Sequence, residues 1–251
     1  MKKIFIDPRQ KIYSFSIFEP LRIFFGKKIS EQDLKLLFSK KFNFKNILTV
    51  SQGRIGIYLA VKSIINESKT EIIMSPFTVF DVVNMVICAG GKPVYADIDF
   101  PSMSISPEEI NKKINSKTAG IIITHYQGFC EKYSEIYTLA AKQKIKIIED
   151  CAIVFGTKIG DKYVGVKADI AIYSFNITKF ISTLSGGLLI CNDENIFQKI
   201  LTISISLNVK ITSPASIPAV FEGPLGFTLD TNAPFSSGNP RLSAISLPMG
   251  S

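Results

Sequence analysis

Lys179 and Asp150 are the residues whose types and positions could do chemistry together. The segment from Asp169 to Lys179 reads as a buried apolar strand, Ile-Ala-Ile-Tyr, running through Ser174 into a polar turn that ends at the lysine. Gly186-Gly187 then opens another apolar run. Upstream, Lys146-Ile-Ile-Glu-Asp150 is a second short apolar run, closed by paired acids. A lysine and a carboxylate at the C-terminal ends of two strands can converge on one crevice. Such a pair suits pyridoxal phosphate: the lysine forms a Schiff base, and the carboxylate keeps the pyridine nitrogen protonated so that the ring withdraws electrons. Taken singly, a lysine after a strand is commonly a solvated surface residue, and an acid there is commonly a helix N-cap. The order and spacing of the surrounding segments therefore carry the argument.

The junction Leu48-Thr-Val-Ser-Gln-Gly-Arg54 adds a second element. A small-residue turn opening a helix offers backbone N–H groups to an anion. Ser51, Gly53 and Arg54 could hold a phosphate there, with Ser174 supplying a hydroxyl. An ordinary strand-to-helix turn capped by Ser51 would leave the same residues in the sequence.

These residues need a scaffold, and the sequence implies one. Short runs rich in β-branched residues fall at 46–50, 71–75, 93–96, 119–124, 145–149, 169–174 and 187–191. Helical patterns lie between several of them, at 55–65, 79–88, 107–114, 131–143 and 195–207, and a short helix is expected at 31–38. This alternation predicts an α/β fold with a mostly parallel sheet covered by helices on both faces. Three regions are expected. Residues 1–45 form an aromatic-rich segment, 46–207 the large domain, and 208–251 an irregular tail. Six prolines in the final 44 residues, with frequent Ser and Gly, prevent long helices there. The stripe Ile17, Phe18, Leu21, Phe24 and Phe25 fits packing against the main domain or a partner subunit, with a membrane surface as the alternative.

Composition excludes several classes. Hydrophobic residues make up 46% and charged residues 20% of the 251, which fits an ordered globular chain. The net charge is +8, but only four of the 29 basic residues are arginines, and the lysines are scattered. No nucleic-acid surface is expected, although anionic substrates would be attracted. Cys88, Cys130, Cys151 and Cys191 lack metal-ligand spacing, and His125 is the only histidine, so no metal site is expected. Reduced cysteines, no signal-peptide pattern and no membrane-spanning run point to a cytoplasmic protein without membrane insertion.

From about residue 48 to residue 200 the sequence resembles the DegT/DnrJ/StrS family of pyridoxal-phosphate sugar aminotransferases. Six segments match in order. Ser51-Gln-Gly-Arg resembles the family's Ser-Ser-Gly-Thr phosphate turn, and Ser75-Pro-Phe-Thr followed by Asn84 resembles its Pro-Ser-Phe-Thr helix start. Gly90-Gly-Lys-Pro-Val-Tyr-Ala-Asp-Ile-Asp99 resembles a characteristic strand, and Thr124-His-Tyr-Gln-Gly128 its Val-His-x-x-Gly segment. Ile148-Glu-Asp-Cys-Ala152 is similar to Ile-Glu-Asp-Ala-Ala, and Tyr173-Ser-Phe-Asn-Ile-Thr-Lys179 to Phe-Ser-Phe-x-x-x-Lys.

The resemblance implies the large domain of a fold-type-I aminotransferase. It implies that Lys179 carries the Schiff base and shuttles a proton, that Asp150 pairs with the pyridine nitrogen, and that Ser174, Gly53 and Arg54 hold the cofactor phosphate. It further implies a nucleotide-linked keto-sugar as acceptor, glutamate as amino donor, a role in polysaccharide biosynthesis, and a homodimer. Some positions depart from the pattern: Ile153 replaces a Gln or His near the ring, Val79 the stacking aromatic, and Leu184-Ser-Gly-Gly187 the Gly-Glu-Gly-Gly segment. The family's C-terminal small domain has no counterpart in the sequence beyond the tail. A non-catalytic member that keeps the fold and pairs with a full-length homologue is therefore the alternative expectation.

Overall fold

The structure is a computed structural model, and it describes residues 30–125, 133–176, 179 and 185–207. The aromatic stripe at 17–25 and the tail at 208–251 lie outside the described residues. Seven strands form one sheet: β1 (Ile47–Val50), β2 (Glu71–Met74), β3 (Lys92–Tyr95), β4 (Thr118–Thr124), β5 (Lys146–Asp150), β6 (Ile170–Ser174) and β7 (Gly187–Cys191). Among the described residues six helices accompany them: α1 (Glu31–Phe42), α2 (Gly53–Ile64), α3 (Phe80–Cys88), α4 (Pro107–Lys113), α5 (Tyr133–Gln143) and α6 (Glu194–Ser206). Two short hairpins, Ile98–Asp99 with Ser104–Ile105 and Lys158–Ile159 with Lys162–Tyr163, had no apolar run to announce them.

The sheet order is β1-β7-β6-β5-β4-β2-β3. Strands β6, β5, β4, β2 and β3 run parallel. Strand β7 is antiparallel to both its neighbours, β1 and β6. Helices cover both faces, so the inner strands are buried on both sides and read as continuous Ile/Leu/Val runs rather than alternating ones.

One face packs against α1 and α5. Leu34, Phe38 and Phe42, spaced four apart, are the buried stripe of α1. Phe38 and Phe42 form an aromatic cluster with Phe44 and Phe155, and Tyr173 joins it through Phe44 and Phe155. An isolated helix of this length would be marginal in water. Burial of its three large side chains, about 1.5–3 kcal/mol each, holds it to the sheet. The helix runs four residues beyond the expected 31–38 because Phe42 completes this stripe. It then stops at Asn43, which takes the left-handed conformation with φ 57°.

The opposite face carries α2, α3 and α6 over Leu48, Ile72, Met74, Ile122, Ile148, Ile172 and Leu189. Helix α2 lies close against β6 because two glycines on one side of it face the strand. A Cβ at Gly56 would come within 3.0 Å of the Ile172 side chain, and one at Gly53 within 2.8 Å of the Ser174 Cβ. The start of α2 is thereby set beside the C-terminal end of β6.

Candidate active site

The strand alternation of β5 decides where its two terminal acids go. Asp150 shares a face with Ile148, toward α2, α3 and α6, while Glu149 shares the other face with Ile147. Asp150 is the last residue of β5, in register with Thr124 of β4 and Ile172 of β6. The backbone there is held on both sides: His125 N–H donates to Asp150 O at 3.2 Å, and Cys151 N–H to Ile172 O at 2.8 Å.

Asp150 is buried, and its Oδ1 accepts one hydrogen bond, from Ala152 N–H at 3.1 Å. Burial pushes its carboxyl above the ordinary range; the Ala152 N–H and the charges of Lys179 and His125 oppose that rise. Lys179 is half-buried, and its N–H donates to Asn176 O at 2.9 Å. Burial holds its ammonium below the usual lysine range, against the pull of Asp150. The structure therefore brings the sequence-predicted lysine and aspartate into one electrostatic pair. A lysine with a depressed pKa has more of the neutral amine needed for nucleophilic attack on a carbonyl.

Ser174 ends β6 and abuts Gly53, the first residue of α2. Gly187 of β7 closes the same corner, where a Cβ would come within 2.8 Å of both Gly53 N and Tyr173 O. The Gln52 side chain makes no capping hydrogen bond to α2, and the first turn holds no acid. An anion is the natural complement to such a helix start. Arg54 is turned sideways from this corner: its Nη1 lies 3.1 Å from Asp81 Oδ2 on α3, in a half-exposed ion pair. Val79 and Phe80 at the start of α3 are both exposed, and Ile153 packs into the aromatic-side core.

Sequence reasoning missed a buried cluster behind Asp150. Glu149 Oε2 accepts from His125 Nε2 and from Gly165 N–H, each at 2.8 Å. Glu149 Oε1 takes the hydroxyls of Tyr133 and Tyr137. Its signal was present as an Asp/Glu pair on alternating faces, a lone histidine just past a strand, and tyrosines four apart on one helix.

A cavity of about 660 Å³ lies at the other end of the sheet, lined in part by Lys146, Asp169 and Asp193. Three of its charged side chains pair with one another. Lys146 Nζ bridges Asp169 at 2.9 Å and Asp193 at 3.1 Å, and Asp193 caps α6.

Lys179 and buried Asp150 thus act on each other's charge at one end of a mostly parallel sheet, and the helix that abuts Ser174 starts without a side-chain cap. Residues 26–209 match the DegT/DnrJ/EryC1/StrS aminotransferase family, and the chain belongs to it. It is 31% identical over 166 residues to the GDP-perosamine synthase of Vibrio cholerae, covering 66% of this chain and 45% of that protein. The chain thus spans less than half the length of the curated relatives it matches. Among solved structures it is similar to an aminotransferase from Psychrobacter cryohalolentis (26% identity, TM-score 0.67, covering 75% of this chain and 50% of that one). It is also similar to NtdA from Bacillus subtilis, solved with bound cofactor PMP (23% identity, TM-score 0.66, covering 81% and 49%). The fold is that of a fold-type-I aminotransferase large domain.

Proposed function

We propose that this chain is the cofactor-binding portion of a pyridoxal-phosphate-dependent aminotransferase that acts on a nucleotide-linked keto-sugar with glutamate as amino donor. The observation that carries the reading is the electrostatic pair of buried Asp150, at the C-terminal end of β5, and Lys179, five residues beyond the end of the adjacent parallel strand β6. Family membership and the identity to GDP-perosamine synthase support the sugar-nucleotide class.

The residues fit the cofactor. Among the described residues Asp150 has a single hydrogen-bond donor on its carboxylate, which leaves capacity for a protonated ring nitrogen. The α2 start, closed in by Ser174, Gly53 and Gly187, fits a phosphate, and Arg54 lies one residue into the helix. When bound, pyridoxal phosphate supplies an electron sink for the carbon that exchanges its amino group. Lys179 would hold the cofactor covalently and move the proton at that carbon through its Nζ. Asp150 would hold the ring nitrogen's proton. Ser174 and the N–H groups of α2 would orient the phosphate.

In this reading the large domain, 46–207, works as a homodimer in the cytoplasm. The exposed apolar side chains Val79, Phe80, Tyr95 and Phe100 supply surface that a second subunit could cover. From the expected N-terminal segment 1–45, α1 joins the core of that domain, and the tail 208–251 follows it in sequence.

A second reading is a non-catalytic chain that keeps the fold and pairs with a longer homologue. The exposed Val79 and the core-packed Ile153, at positions where the family pattern has ring-contacting side chains, favour it. Adding pyridoxal phosphate to the purified chain separates the outcomes. The proposal expects a visible absorbance band that Lys179→Ala removes, and amino transfer from glutamate to a nucleotide-linked keto-sugar. A band without transfer favours the second reading. A colourless protein at excess cofactor overturns both the catalytic assignment of Lys179 and the cofactor assignment.

A further inference from the structure

Glu149, one residue before Asp150, has no part in the chemistry above, yet it is fully buried and accepts from four N–H and O–H donors, with the Cys151 thiol a longer fifth at 3.7 Å. The N–H and O–H donors come from three separate places. His125 follows the end of β4, Tyr133 and Tyr137 stand one turn apart on α5, and Gly165 lies in the turn after Tyr163. A carboxylate can only accept, so His125 Nε2 carries the hydrogen and the imidazole orientation is fixed. The donors hold Glu149 below the ordinary carboxylate range even though burial pushes the other way. A polar cluster at this depth is costly unless every member is satisfied, so its geometry is sharply specified.

The cluster also reaches Asp150. His125 is bound to Glu149 through its ring and to Asp150 through its backbone, by the N–H that meets Asp150 O at 3.2 Å. One residue thus ties the ends of β4 and β5 together twice, in the plane of the sheet through its backbone and on the α1/α5 face through its ring. We propose that His125 and Glu149 are positioning residues for Asp150, clamping the end of β5 from the face opposite the cofactor so that the Asp150 carboxylate is aimed at the ring nitrogen. This inference rests on the cofactor reading of Asp150 given above.

A metal centre is the competing use of these residues. His125, Glu149 and Cys151 offer three ligand atoms within 4.8 Å of one another. The hydrogen bonds already occupy both oxygens of Glu149. The Cys151 thiol is itself aimed at Glu149, its Sγ 3.7 Å from Oε2. The donor set therefore describes a hydrogen-bonded clamp.

The test uses the full 251-residue chain, with pyridoxal phosphate as probe. Cofactor affinity and the induced visible circular dichroism of the bound ring are measured for Glu149→Gln, His125→Phe and His125→Gln. The first two are expected to weaken affinity about tenfold or more, as a misaimed charged hydrogen bond would, and to diminish the induced band. His125→Gln, which returns an N–H donor near the Nε2 position, should recover most of both. Variants that melt earlier but bind and orient the cofactor like the wild type would overturn the proposal. Should either variant fail to fold, Tyr137→Phe removes one donor alone, and a severalfold loss of affinity is expected against none for a purely structural role.

A cofactor-independent arm keeps the two readings apart. His125 is the only histidine, so its imidazole ¹⁵N resonances are assigned without ambiguity. Asp150→Asn should shift them in cofactor-free protein. If the wild type takes up no pyridoxal phosphate while that shift is seen, the functional reading falls and the linkage stands. If the wild type binds cofactor but His125 is indifferent to Asp150→Asn, the linkage alone falls. Zinc that raises the melting temperature and displaces the His125 N–H signal would replace the clamp by a metal site.

Discussion

Glu149 and Asp150 are adjacent carboxylates on one strand, both buried, and they behave as opposites. Glu149 faces the α1/α5 side, where four N–H and O–H donors and the Cys151 thiol meet it, and its pKa is lowered. Asp150 faces the α2 side with one backbone donor and a half-buried lysine, and its pKa is raised. Burial is similar for the two, so it does not decide the difference. The number of donors aimed at each charge does. A sated carboxylate is structural; one left with spare acceptor capacity and a neighbouring amine is poised to bind something.

The largest effect should come from Lys179→Ala. It removes the side-chain countercharge of Asp150 and, in the proposed function, the covalent anchor. All cofactor-linked visible absorbance should vanish while the melting temperature of cofactor-free protein stays within a few degrees, because the lysine fills little core volume. A large drop in melting temperature would make Lys179 a structural residue.

Glu149→Leu should destabilise the fold by about 3–5 kcal/mol, the usual result of stranding buried partners of a charge. Asp150→Leu should cost under about 1 kcal/mol or stabilise, since it removes a poorly compensated buried carboxyl. Urea unfolding at pH 7 compares them directly. Equal penalties would mean that the two acids share one structural role.

The pH dependence should differ in sign. A raised native pKa means that the native state holds the Asp150 proton more tightly than the unfolded chain. Its contribution is favourable below the unfolded value and is lost as pH rises through the window up to the native value. Glu149 has the reverse sign. Its stabilisation is present above the ordinary glutamate value and is lost as pH falls through the depressed native one. Relative to wild type, Asp150→Asn should therefore gain stability as pH rises from the acid end. Glu149→Gln should show its greatest deficit near neutrality, shrinking in acid. Melting curves from acid to neutral pH check both signs.

Arg54→Ala should have the smallest stability effect, under about 1 kcal/mol, because its ion pair with Asp81 is half-exposed. It sharpens the same contrast between satisfied and available groups. If Arg54 leaves Asp81 for the cofactor phosphate, pyridoxal-phosphate affinity should fall severalfold without a matching loss of stability. Unchanged affinity would restrict Arg54 to its structural partner.

Much of the scaffold was legible because its signals are local. The seven apolar runs of the main sheet, the polar turn before Lys179 and the small residues around Gly53 and Gly187 each announce themselves within a few positions. The short hairpins were not legible, since two-residue strands have no period to detect. Nor was the Arg54–Asp81 pair, which joins the starts of two helices 27 positions apart.

The sequence by itself determined the alternation of strands and helices, the identity of the lysine and aspartate, and the family pattern that links them. Period and composition act through backbone geometry, which is read along the chain. The tertiary structure alone decided how Glu149, the other terminal acid of β5, is sealed on the opposite face and what satisfies it. That sealing follows from the pleat of β5 together with the placement of α5, His125 and Gly165 around Glu149, contacts spanning 12 to 24 positions. The environment that makes one carboxylate inert and the other available is assembled from residues that become neighbours only when the sheet closes.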